Sequence, residues 1–459
     1  MKRHYKFDGL LQNKEWITPA YVSIEDNGLL LSIDSLPKDA TEYNPIKGFA
    51  LPGMVNAHSH AFQYAMAGLA ERHPHSKSQQ NFWTWRNTMY QTALQIAPQQ
   101  LQDIATMVYS EMLRMGFTHV VEFHYLHHQN DGSEYENISE LGIRLLEASQ
   151  QVGIKITLTP IFYKYGNFGK APSPDQRRFI SRNIKAFNRL LHHTKTEIDN
   201  YPLANLGVGA HSLRAAAPSE IIEISQSLST YTPFHIHASE QLKEVNDAIE
   251  SIGSRPVEWL LNNLDIIDQL NLVHCTHLTS EELNLLAKSQ TNVVLCPSTE
   301  GNLADGFFKL KEFESQNGSW SIGTDSHIGL SPFEELRLLD YGQRLCSNER
   351  TTFSNENDSF SGDFAFEKCI INGRRATGHQ QDQFFQIDQP FDALVIDSEA
   401  PLIHNTSEEH LLNRIIYTSD PAINLGTMVN GEWTVENNRH KDLNAIRKSF
   451  NHSMKQLMA

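Results

Sequence analysis

"FALPGMVNAHSH", residues 49–60, runs an apolar segment into two histidines two positions apart. Phe49, Leu51, Met54 and Val55 read as a buried strand that turns polar at His58 and His60. Residues i and i+2 of a strand share a face, so both imidazoles aim at one point. The chain holds 22 histidines, so one such pair settles nothing by itself. A second pair, His73 and His75, lies in a Pro-, Ser- and Lys-rich stretch without strand periodicity and reads as a solvated loop. The weight of the first pair depends on the rest of the chain.

Seven more short apolar runs succeed it, each ending in polar residues: "THVVEFHY", "KITLTPIFY", "NLGVGAHSLR", "PFHIHASE", "LNLVHCTHL", "NVVLCPSTE" and "WSIGTDSHI". Amphipathic stretches separate most of them. "LQDIATMVYSEMLRMG" stops on Gly116, and "TSEELNLLAKS" opens on Thr279 or Ser280 as an N-cap. Strands alternating with helices predict a parallel sheet, and eight such units predict an α/β fold, a (β/α)8 TIM-like barrel over residues 50–375. That span exceeds the usual ~250 residues of a barrel, so it must hold insertions. The largest, 61–100, falls between the first strand and its helix and reads as a lid over the mouth. The ends do not fit a barrel. "AYVSIEDNGLLLSI", "FDALVIDSEAP", "RIIYTSD" and "GTMVNGEWTV" are β-like, and Asn430-Gly431 is a hairpin pair. They predict a small composite β-sandwich from residues 1–49 and 376–435, with an amphipathic helix in the last segment, 436–459.

Bulk composition narrows the function. Hydrophobic content of 40% and charged content of 20% describe a globular protein, and no run approaches the roughly 18 apolar residues of a membrane helix. The N-terminus lacks the apolar core of a signal peptide. Cys275, Cys296, Cys346 and Cys369 are scattered and read as reduced thiols of a cytoplasmic protein. A net charge of −16 argues against nucleic acid as a partner but not against a small anionic substrate.

A barrel presents functional residues at the C-terminal ends of its strands. Here those ends carry His58 and His60 (strand one), Glu122, His124 and Tyr125 (two), His211 and Arg214 (four) and His235, His237 and Glu240 (five). Strand six adds His274 and His277, and strand eight Asp325 and His327. Structural residues there would more often be small or apolar. His58, His60, one histidine of strand five and Asp325 form a set suited to a catalytic divalent ion. Such an ion makes hydroxide available at neutral pH, which points to hydrolysis.

"PGMVNAHSH", "HIHASE", "LVHCTHL" and "GTDSH" together resemble the deaminase branch of the amidohydrolase superfamily, over nearly the whole chain. Within that branch, "HSHAFQ", "FWTWR", "EFHYLHH", "GAHSLRA" and "CPSTEGNLADG" resemble the formiminoglutamate deiminases. Thr299 and Glu300 stand where nucleobase-specific relatives carry Ser-Asn, a departure from their pattern. The resemblance implies one metal ion, zinc, on His58, His60, His237 and Asp325. His237 is preferred because it opens an H-x-x-E element ending in Glu240, whereas His235 reads as a packed polar-core residue. It implies Asp325, Glu240 and His274 as catalytic groups: one to take a proton from water, one to carry a proton to the leaving nitrogen, one to orient and stabilise charge.

The implied reaction is hydrolytic deimination of N-formimino-L-glutamate to N-formyl-L-glutamate and ammonia, a step of histidine degradation. A dicarboxylate calls for arginine, whose planar fork matches carboxylate oxygens. Arg214 and Arg86 are the candidates, with Gln63, Tyr125 and His211 adding hydrogen bonds. The aromatic cluster Phe82, Trp83 and Trp85 reads as lid packing. A homodimer is a further expectation of the resemblance. Two rival readings are a deaminase of a guanine-like or other heterocycle, which needs no pair of arginines, and a catalytically silent scaffold barrel, which would have lost ligands.

Overall fold

The structure is a computed structural model that describes residues 2–38, 40–71, 82–350, 352–354, 360–381 and 383–458. His73 and His75 lie outside these residues. The eight apolar runs form strands β1 (Met54–Ser59), β2 (Phe117–His124), β3 (Lys155–Phe162), β4 (Val208–Ser212), β5 (Phe234–Ala238), β6 (Leu270–His274), β7 (Asn292–Leu295) and β8 (Ser319–Ile322). Each pairs in parallel with its neighbour in sequence order. A parallel bridge between Ser59 and Asp325 brings β8 back to β1 and closes the barrel. These strands are buried almost throughout, which is why they read as continuous apolar runs.

The stretch 49–60 proves to be two strands in two sheets. Asn44–Pro52 belongs to a nine-stranded mixed sheet of both termini, pairing in parallel with Arg3–Gln12 and antiparallel with Ala393–Asp397. Only Gly53 separates it from β1. A Cβ there would stand 2.3 Å from the Thr118 hydroxyl, so the junction has no room for a side chain. The sequence shows one apolar run because both sheets bury their share of it.

Helix signals match the observed ends. Pro98 opens the helix Pro98–Met115, which stops on left-handed Gly116, and Thr279 caps Ser280–Ser289 by accepting from the Glu282 N–H. "RIIYTSD" is β-like by composition, yet Arg414–Thr418 ends the helix Glu408–Thr418. Its β-branched pair Ile415 and Ile416 continues a stripe with Leu411 and Leu412, all four buried, and that spacing outweighs β propensity. The last helix, Leu443–Leu457, lies on Pro98–Met115, where the Ser453 hydroxyl donates to Asp103 at 2.5 Å. Among the described residues no helix is long and apolar enough to cross a membrane.

The described part of the 61–100 insertion contains a 3-10 turn, Ala61–Met66, and the helix Phe82–Gln95. Arg178, fully buried, fastens the end of that helix. Its Nη1 donates to the Ala93 and Ile96 carbonyls at 2.5 and 2.7 Å, and its Nε to the His128 carbonyl at 2.8 Å. Arg178→Met would take these donors from the buried Ala93 and Ile96 carbonyls, at about 1–3 kcal/mol each, and from the half-buried His128 carbonyl. We expect it to lower stability by more than about 3 kcal/mol in urea unfolding. An unchanged midpoint would show that the anchor contributes nothing.

Candidate active site

The C-terminal rim of the barrel converges on one cavity. His60, Gln63, Arg86, Tyr125, His211, Arg214, His237, Glu240, His274 and Asp325 line it, and His58 lies fully buried against it. The structure thus gathers every residue to which the sequence assigns catalysis, metal binding or substrate binding. His235 does not reach the cavity: its Nε2 donates to the Ala376 carbonyl at 2.8 Å, a packed polar contact.

Three imidazoles meet edge to edge. His58 Nε2 stands 3.1 Å from both His60 Nε2 and His237 Nε2. The other nitrogens decide what these atoms are. His60 Nδ1 is 3.0 Å from the Phe123 carbonyl, and His237 Nδ1 is 2.9 Å from the His211 carbonyl. A carbonyl only accepts, so each Nδ1 bears a proton, which leaves Nε2 as the atom free to present a lone pair. Burial pushes the His58 imidazole down to about 3 and His237 well below its ordinary range, so both are neutral. Asp325 Oδ1 adds a carboxylate oxygen 3.2 Å from His60 Nε2 and 3.5 Å from His58 Nε2. Lone pairs and an anion converging this closely repel one another unless a cation lies among them. The donor set therefore fits a divalent metal ion. His274, Cys296 and Asp325 form a second cluster of such groups. Burial pushes the Cys296 thiol well up, so in the absence of an ion it keeps its proton.

The backbone at these strand ends is unusual. Ser239, His274, Asp325 and His327 all have φ between +46° and +73°, a region costly for side chains other than glycine. Strain of this kind persists where the surroundings hold it and gathers at functional sites.

Three carboxylates surround His274. Its Nδ1 lies 3.3 Å from Glu300 Oε1, and its Nε2 lies 3.8 Å from Glu240 Oε1 and 3.9 Å from Asp325 Oδ2. Burial opposes its charge, but Glu240, Glu300 and Asp325 together raise the imidazole to about 10, so it is cationic. Burial raises the Glu240 carboxyl, with the Asp325 charge adding to it and His274 opposing. Glu244 holds this loop, accepting from the N–H groups of Ser239 at 3.3 Å and Glu240 at 3.0 Å.

The two arginines share the cavity. The Arg86 guanidinium stacks 4.4 Å from the Trp83 ring centre, and Arg214 is 6% exposed. Arg86 Nε and Nη1 and Arg214 Nη1 are buried with no hydrogen-bond partner among the described residues. Burial lowers the Arg86 pKa, and the Arg214 charge lowers it further, so each cation feels the other. Gln63 donates to the Tyr125 hydroxyl at 2.8 Å.

Several residues here escape a reading of the sequence. Phe82 and Trp85, whose pattern suggests lid packing, line the cavity, as do Tyr90, Tyr163, Phe179 and Leu303. Glu300 carries a usable signal: it sits four residues after Cys296 and accepts that residue's N–H at 2.9 Å, so its carboxylate turns back toward the strand ends.

Comparison with known proteins agrees with this architecture. Residues 49–434 match the amidohydrolase family. The chain is 36% identical to a formimidoylglutamate deiminase of Pseudomonas aeruginosa over 436 residues, 95% of each chain. A crystal structure of an amidohydrolase from Brucella melitensis superposes with a TM-score of 0.92 at 36% identity, covering 100% of both chains. An adenosine deaminase from Xanthomonas campestris with bound zinc shares the fold, with a TM-score of 0.79 at 20% identity over 99% of this chain and 98% of that one.

Proposed function

Since the chain belongs to the amidohydrolase family, we propose that it is a metal-dependent hydrolase converting N-formimino-L-glutamate and water to N-formyl-L-glutamate and ammonia. One observation carries this reading: two mutually repelling guanidiniums, with unused N–H groups, face the cavity that holds Glu240, His274 and Asp325. A neutral heterocycle would leave both charges unanswered, whereas a dicarboxylate answers both. The P. aeruginosa relative, a formimidoylglutamate deiminase by name, supports the same substrate.

His58, His60, His237 and Asp325 would hold one divalent ion, zinc in this proposal, which supplies a water acidified to the neutral range. Asp325 would take a proton from the attacking water. The oxygen of that water would bond to the formimino carbon, and His274, cationic and fixed by Glu300, would offset the charge that develops beside it. Glu240, buried and with its carboxyl raised, delivers a proton to the imino nitrogen. The adduct's hydroxyl proton passes to the same nitrogen as the carbon–nitrogen bond breaks, and the proton taken by Asp325 restores Glu240. Ammonia leaves with the equivalent of both water protons, while the water oxygen stays as the formyl oxygen. Arg214 and Arg86 hold the carboxylates, with Gln63, Tyr125 and His211 as further polar contacts.

Ammonia release from N-formimino-L-glutamate, beside guanine and simple formamidines, tests the reading. Arg214→Met should lower kcat/KM for the diacid about 30-fold or more, since breaking one side of a buried arginine–carboxylate pair costs about 2–5 kcal/mol. Metal content should not change. Normal turnover by both Arg214→Met and Arg86→Met would overturn the dicarboxylate assignment and leave a deaminase of another substrate.

A further inference from the structure

Interleaved with the candidate ligands is a second set of buried polar side chains, none of which lines the cavity. Asn56 Nδ2 donates to Thr324 Oγ1 at 2.7 Å, and Thr324 Oγ1 lies 2.9 Å from His327 Nδ1. His327 Nε2 lies 3.3 Å from Ser59 Oγ, which donates to Glu122 Oε2 at 2.7 Å. Glu122 Oε1 in turn accepts the Ala61 N–H at 2.7 Å. The direction of the other bonds follows from the one that Ser59 donates to Glu122. Ser59 spends its single proton on Glu122, so its oxygen accepts from His327 Nε2–H. His327 Nδ1 is then a lone pair that accepts the Thr324 proton, and the Thr324 oxygen accepts the Asn56 amide. Every member has a partner.

The chain of bonds runs beside the ligands rather than among them. Ser59 stands between His58 and His60, and Thr324 and His327 flank Asp325. It spans β1, β2 and the end of β8 at the seam where the barrel closes. Asp325 at φ +46° and His327 at φ +63° sit where backbone alone would not keep them. We propose that Thr324 and His327 are positioning residues that fix the spacing of His58, His60 and Asp325 for the metal, an inference that rests on the metal reading above. Groups that orient ligands in this way are worth about 10–100-fold in metal affinity.

Zinc affinity, measured by competition with a chromophoric chelator, tests this without reference to turnover. Thr324→Val removes the hydroxyl and should weaken zinc binding about 10–100-fold. Thr324→Ser keeps the hydroxyl and should bind close to wild type. Should Thr324→Val fail to fold, as judged by circular dichroism of the metal-free protein, Ser59→Ala opens the same chain at its other end and is read in the same way. Wild-type affinity in the folded variant lacking the hydroxyl would overturn the proposal. His58→Ala separates the two levels: it should lose zinc whenever the ligand set is right, whatever Thr324→Val does. A wild-type protein that binds no zinc would overturn both.

Discussion

Glu240→Gln should retain metal and substrate affinity yet lose roughly 10²-fold or more in kcat, the usual contribution of a positioned acid–base group. The amide occupies the same space but cannot carry a proton. The expectation rests on its placement, with His274 Nε2 3.8 Å from its carboxylate and its own N–H held by Glu244. Burial raises its carboxyl, so a proton is available there nearer to neutral pH than on an ordinary glutamate. Steady-state ammonia release and metal analysis on the same preparation check both halves. Near-normal kcat would reduce Glu240 to a structural residue.

Removing the metal should have the larger effect. Chelation should abolish ammonia release, and zinc should restore it. His58→Ala, which removes the imidazole in contact with both His60 and His237, should lose metal and activity together. A ligand that binds only the folded state also stabilises it, by about 2.7 kcal/mol at 100 times its Kd. The melting temperature of the wild type should therefore rise with added zinc, and that of His58→Ala should not. Full activity in metal-free protein would sink the ligand assignment.

Much of this site is legible in the sequence because strands place residues with period two and barrels use one rim. Those two rules bring His58, His60, one histidine of strand five, His274 and Asp325 together, and the H-x-x-E element ending in Glu240 selects His237. Residues that serve the site from elsewhere follow neither rule. Glu300 lies in the first turn of the helix Pro297–Leu303, where an acidic residue more often serves the helix itself. Phe82 and Trp85 have the spacing of packed aromatics, and only the closeness of Arg86 shows which way they face. The split of "FALPGMVNAHSH" at Gly53 is hidden for another reason: an apolar run records burial, not which sheet does the burying. The same limit applies to "RIIYTSD", where β-branched residues conceal a helical stripe.

The bonds that Arg178 makes bear on how a new substrate preference could arise. On the proposed function, chemistry falls on the barrel strands and recognition partly on the helix Phe82–Gln95, whose Arg86 lines the cavity. Arg178 grips that helix through backbone oxygens of Ala93 and Ile96, which every residue type supplies. That grip is therefore indifferent to side-chain identity, although the buried Phe82, Met89, Tyr90 and Ala93 hold the helix as well. Substitutions at its other positions leave the grip of Arg178 in place and do not touch His58, Glu240 or Asp325. On the proposed function, exchange at those positions is therefore the route by which substrate preference would change while the hydrolytic groups stay as they are.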